Sequence, residues 1–126
     1  MLFRVVMGLP HVRALWESLQ AGADNDTLSA DQERLAKKLH KAVERLETDP
    51  RHLGLRSHEI EALTRRVGAR VFESYLENNT PAAGRIFWVF GPERGILTVI
   101  GIEPHPGAGK RAYGRVLLST LGVSER

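Results

Sequence analysis

Three short segments in the second half of the chain, Arg70–Leu76, Arg85–Phe90 and Ile96–Glu103, are apolar runs with a period of two. That period puts successive side chains on opposite sides of an extended backbone, which suits a strand and not a helix. Val71, Phe72, Ile86, Trp88, Val99 and Ile102 are among their β-branched and aromatic members, the types that fit a half-buried pleated surface. Between the last two segments stands Gly91-Pro92-Glu93-Arg94-Gly95, a run of turn formers that predicts a hairpin. A small antiparallel sheet is therefore the expected core, with Arg85 and His105 as its odd polar members.

The rest of the chain is read against that sheet. Residues 2–7 alternate and predict a short N-terminal strand, which Gly8 ends. Pro10 suits the first turn of a helix, where its missing N–H is not needed. Val12, Leu15, Trp16 and Leu19 then line one face of that helix, and Gly22 closes it. Ser29 with Gln32 forms a capping-box signature for a longer helix, whose stripe is Leu35, Leu39, Ala42, Val43 and Leu46. Pro50 disfavours helix at Asp49, so this helix stops near Thr48. Residues 49–58 read as an irregular link and 58–63 as a short edge strand before a turn at Arg65–Gly68. Asn78-Asn79-Thr80-Pro81 breaks the chain after the strand at 70–76. A basic tail from His105 passes into Val116, Leu117, Leu118 and Leu121, expected as a short C-terminal helix. The fold expected is α+β: a strand and two helices packed on a small antiparallel sheet, in one domain spanning 1–126.

With 126 residues there is room for one real core and not comfortably for two. The chain has no cysteine, which excludes disulfides and thiolate zinc sites and fits a reducing cytoplasm. No apolar run reaches the ~20 residues that span a bilayer, so no membrane association is expected. Charge is uneven: residues 1–63 hold nine Lys/Arg against ten Asp/Glu, and residues 64–126 hold nine against five. An anionic partner, nucleic acid or an acidic protein segment, would be drawn to the second half.

Several groups stand out chemically. Gly107-Ala108-Gly109-Lys110 does not complete a nucleotide-binding P-loop, since Pro104 and Arg111 occupy two required positions. Its glycines with Lys110, Arg111 and Arg115 could hold phosphates of a polymer, or form a plain connector. His11, His40, His52 and His58 lack metal-ligand spacing and read as surface or local capping groups; no metal or cofactor is expected. His105 ends the most apolar strand and could exchange protons near neutral pH. Glu73 and Arg85 are charges within strands, either solvated or paired across the sheet. Metal-free RNA cleavage needs a group to take the 2′-hydroxyl proton, a cation for the crowded phosphate and an acid for the leaving oxygen. Glu73, Arg85, His105, Lys110, Arg111 and Tyr113 include the residue types for those tasks.

The segments Leu46–Leu55, Phe72-Glu73-Ser74-Tyr75, Gly84-Arg85-Ile86-Phe87-Trp88 and Ile100–His105, in that order, resemble the RelE/ParE toxin superfamily of bacterial toxin–antitoxin systems. The resemblance covers residues 2–105 and implies a toxin of a type II system, cytoplasmic and neutralised by a cognate antitoxin. It implies a messenger-RNA endonuclease acting on the translating ribosome, which blocks translation; the alternatives are a non-enzymatic relative that poisons DNA gyrase or only binds its antitoxin, and an inactive RNA-binding relative. By resemblance, Arg85 matches a phosphate-binding arginine and His105 a terminal imidazole acid or base. Glu73 matches a carboxylate base and Tyr113 a C-terminal tyrosine; apart from the resemblance, Arg70, Lys110, Arg111 and Arg115 are expected as RNA-binding cations.

Overall fold

The hairpin is the centre of the sheet. In the computed structural model, which describes residues 2–76, 84–103 and 117–120, β4 (Arg85–Phe90) runs antiparallel to β5 (Ile96–Glu103). Gly91 and Gly95 take positive φ, +115° and +81°, so the turn needs residues without a Cβ penalty. On the far side of β4, β3 (Phe72–Tyr75) pairs antiparallel, and the two-residue β2 (His58–Glu59) closes that edge. Along the other side of β5 lies β1 (Arg4–Met7), in parallel. The strand order is β1-β5-β4-β3-β2. The α+β architecture expected from the sequence is thus present, with one parallel pairing in the sheet.

Helices α1 (His11–Asp24) and α2 (Ala30–Thr48) cover one face of the sheet. Their Leu19, Leu39 and Leu46 meet Met7, Leu76, Ile86, Trp88 and Ile102 in a core from which water is excluded. The capping box forms as its spacing predicts: Gln32 N–H donates to Ser29 Oγ at 3.2 Å, and Ser29 N–H to Gln32 Oε1 at 2.8 Å. Asp49 is extended, which Pro50 requires, and α2 stops there.

The start of α1 is capped from far away. Pro10 occupies the N-cap and offers no side-chain acceptor. Ser119 supplies one: its Oγ accepts from His11 N–H and Val12 N–H, both at 3.0 Å. Ser119 N–H donates to Ile100 O, and Thr120 bridges Leu9 in both directions, which fixes residues 119–120 where β1 runs out. Gly8 permits this approach, because a Cβ there would sit 2.6 Å from Thr120 O and 3.0 Å from Val99 O. Residues 117–120 are accordingly not helical, against the C-terminal helix expected across them. Backbone groups that bond β5 and Leu9 are not free to bond within a helix.

Residues 58–63 also differ from expectation. Only His58 and Glu59 are strand, and Glu61–Val67 form a third helix, α3, that takes in the residues read as a turn. Glu61 lies in its first turn and Arg65 and Arg66 in its last, matching the helix dipole, and Gly68 closes it at φ +86°. Leu63 of α3 is fully buried on the second face of the sheet, with Val71, Phe87, Val89 and Ile100. The break at Asn78–Pro81 and the tail from Pro104 to Val116 lie outside the described residues. No helix among the described residues is long and apolar enough to cross a membrane.

Candidate functional site

The second face is apolar at one end and polar at the other. Strand alternation puts Val71, Glu73 and Tyr75 on it, and the β3–β4 register sets Glu73 opposite Phe87 and Tyr75 opposite Arg85. On β5 the alternation is broken. Trp88 faces Val99 but Phe87 faces Gly101, so Ile100 is an extra residue in the ladder. This bulge reverses the parity of the remainder of β5 and puts Glu103 opposite Arg85, on the second face. Without it, Glu103 would share the helix-covered face of Leu97 and Val99.

Glu73 and Arg85, both expected in the site, do meet. Arg85 Nη1 donates to Glu73 Oε2 at 2.9 Å, and the guanidinium carbon lies 5.7 Å from the centre of the Phe87 ring. Glu73 is buried, whereas the Arg85 side chain keeps 23% of its exposure. The other carboxylate oxygen, Oε1, faces His58 Nε2 at 3.0 Å. His58 Nδ1 in turn faces Arg56 O at 2.9 Å. Both ring nitrogens thus face oxygen atoms, one on the sheet and one in the preceding loop. His58, expected as a surface or capping group, is therefore tied into the sheet by Glu73. Both Glu73 oxygens are thus engaged, and they hold Arg85 and His58 in place.

Glu103 is the opposite case. It is 1% exposed, and neither carboxylate oxygen has a hydrogen-bond partner among the described residues. A buried acceptor left unmade costs about 1–3 kcal/mol, and more if charged. In the sequence Glu103 stands only as the end of a strand.

Beside Glu73 the loop of residues 51–58 forms a hollow of about 430 Å³ lined by Arg51, His52, Arg56, Ser57, His58 and Tyr75. The loop is anchored from beneath. Leu55 is fully buried in the main core. A one-way chain of hydrogen bonds runs from Trp88 Nε1–H to Ser74 Oγ (2.8 Å), on to Ser57 Oγ (2.6 Å) and then to Pro50 O (2.8 Å). Its direction is forced, because an indole N–H only donates and a carbonyl only accepts. Above it, Arg56 takes φ +52°, a left-handed conformation that costs a non-glycine residue about 1–2 kcal/mol. Tyr75 flanks the hollow and meets the His58 ring edge-on, with centres 6.0 Å apart.

The other expected residues fall elsewhere. Arg70 pairs with Glu59 at 3.1 Å and lies over the Phe72 ring at 5.1 Å, so its partners belong to the helix-covered side. The Thr64 hydroxyl, first among the causes, holds the Glu59 carboxyl below its ordinary range; partial burial opposes this and Arg70 adds to it. His105, Lys110, Arg111, Tyr113 and Arg115 lie outside the described residues. The excess charge of residues 64–126 did not point to the hollow, whose cations all come from residues 51–58. A local signal did exist: Arg51, His52, Arg56 and His58 stand within eight residues.

A larger cleft of about 610 Å³ lies between α1 and α2, but there Lys37 and Lys41 are matched by Glu33 and Glu44. We place the site at the 51–58 hollow and the polar end of the second face, where Arg51, Arg56 and Arg85 stand. Among the described residues no group of three His, Cys, Asp or Glu side chains is arranged to hold a metal ion. Compared with protein-family models, curated proteins and solved structures, the chain matches none.

Proposed function

We propose that this protein is the toxin of a type II toxin–antitoxin pair of the RelE/ParE kind, cutting messenger RNA on the ribosome. The observation that supports it is the gathering of Arg85, Glu73, Tyr75 and His58 on one sheet face beside a cation-lined hollow. In the reaction proposed, the 2′-oxygen attacks phosphorus and gives its proton to a base, while the 5′-oxygen leaves with a proton from an acid. The products are a 2′,3′-cyclic phosphate and a 5′-hydroxyl, and no metal is required. Arg85 binds the phosphate as its charge crowds, since a guanidinium fork reaches two oxygens at once. Glu73 orients Arg85 and His58. Proton transfer falls to the imidazole and phenol groups of the site, His58 and Tyr75, with His105 assigned by resemblance.

Expression in cells tests this. The wild type should stop growth and leave cut transcripts, and Arg85→Ala should abolish both while the chain still folds, at a lower melting temperature because buried Glu73 loses a partner. Intact transcripts under arrested growth would reject cleavage. The pairing of both Glu73 oxygens favours a second reading, a non-catalytic toxin that binds gyrase or only its antitoxin. Inhibition of supercoiling by purified protein that never cuts RNA would decide for it.

A further inference from the structure

Arg51 and Arg56 differ from the arginines held in ion pairs. Arg34 bonds Asp31, Arg65 bonds Glu61, Arg70 bonds Glu59 and Arg85 bonds Glu73. For Arg51 and Arg56, no carboxylate among the described residues lies within ion-pairing distance, though both line the hollow. The backbone that carries them is fixed by Leu55 and by the Trp88–Ser74–Ser57 chain. Arg56 is held in a left-handed conformation that a free loop would relax. Between the two arginines His52 is pinned as well. Its Nδ1 accepts from Gly54 N–H at 2.9 Å, so the ring hydrogen is on Nε2, which remains a donor.

The hollow therefore offers two guanidinium forks and an imidazole donor, with a tyrosine ring at one side. Its volume, about 430 Å³, falls within the ~300–1,000 Å³ typical of small-molecule sites. An acidic peptide would use the cations and leave the ring idle. A nucleotide uses both, because the fork matches phosphate geometry and a base stacks on an aromatic side chain. We propose that this hollow is a nucleotide subsite in which Arg51, Arg56 and His52 hold one phosphate and Tyr75 stacks the attached base. The inference rests on the nucleic-acid reading given above and adds a position for the strand beyond Arg85.

Calorimetry on the full chain tests it with adenosine monophosphate, adenosine, inorganic phosphate and a glutamate-rich peptide as probes. The nucleotide should bind more tightly than either of its parts and more tightly than the peptide. Arg51→Ala and Arg56→Gly should each weaken it roughly 10- to 100-fold, the loss of a charge-assisted bond, and Arg34→Ala should not. Tyr75→Leu should abolish the advantage of nucleotide over phosphate. Arg56→Gly should also raise the melting temperature, since glycine relieves the left-handed strain; a merely structural arginine would not combine higher stability with weaker binding. A short single-stranded DNA, which lacks the 2′-hydroxyl nucleophile, separates a strand from a free nucleotide. Its salt slope should fall by about 0.7 for each arginine removed. Nucleotide affinity equal to that of phosphate, unchanged affinity in both arginine variants, or equal binding of the peptide would overturn the subsite. Binding that obeys these rules in a chain that cuts no RNA upholds the subsite and rejects the nuclease. Transcripts cut as fast by the Arg51→Ala/Arg56→Ala double variant as by the wild type do the reverse.

Discussion

The two faces of one sheet are built to different rules. Beneath α1 and α2 the core is apolar, and the Trp88–Ser74–Ser57 chain at its border leaves none of its groups without a partner. On the other face, Leu63, Val71, Phe87 and Val89 pack at one end, while Glu73, Tyr75, Arg85 and Glu103 share the other. The first face arises from burying oil-like area, which is strongly favourable and undemanding in geometry. The second carries a left-handed arginine and a buried carboxylate without partners among the described residues, both of which cost stability. Costs concentrated at one place mark that place as selected for something other than folding.

Substitutions can break or sharpen this contrast. The largest effect is expected on the first face: Leu46, fully buried, should cost about 2–5 kcal/mol as Leu46→Ala, read by chemical denaturation. On the second face the sign should reverse. Glu103→Leu removes the unsatisfied carboxylate and should stabilise the fold by about 1–3 kcal/mol. A destabilised Glu103→Leu would show that the two faces obey the same rules after all. Ser119→Ala, which uncaps α1 from a distance, should cost about 1 kcal/mol, and native-state hydrogen exchange should show the loss at His11 and Val12. The smallest effect lies at the edge. Glu59, with its folded-state titration lowered, contributes stability above the ordinary carboxylate range and loses it as pH falls through the lowered value. The stability gap between wild type and Thr64→Val should therefore narrow on acidification, and a gap that stays constant with pH would remove Thr64 as the cause.

Much of this was legible in the chain. The strands around Trp88 and Val99, the turn at Gly91–Gly95 and the Ser29–Gln32 box all act through neighbours a few residues away. The meeting of Glu73 with Arg85 was also accessible, as two charges in facing strands. The features that escaped depend on longer reach or on averages. Residues 58–63 satisfy either period over so short a span, and only the buried seat for Leu63 decides for helix beyond Glu59. The extra residue at Ile100 is signalled only by the glycine after it, Gly101, and simple alternation that passes over it assigns Glu103 to the wrong side. Charge summed over half a chain diluted the four cationic and imidazole residues of the 51–58 loop.

The Ser119 hydroxyl closes a ring in the fold that sequence order leaves open. Translation delivers residue 119 long after residue 11: at ~5–20 residues per second, the 108-position gap takes roughly 5–20 s. During synthesis α1 therefore waits with two backbone donors turned to water, and the nascent chain lacks its latch until residue 119 has emerged. For a protein proposed to act on ribosomes, that delay postpones the finished shape until residue 119 has left the ribosome that made it.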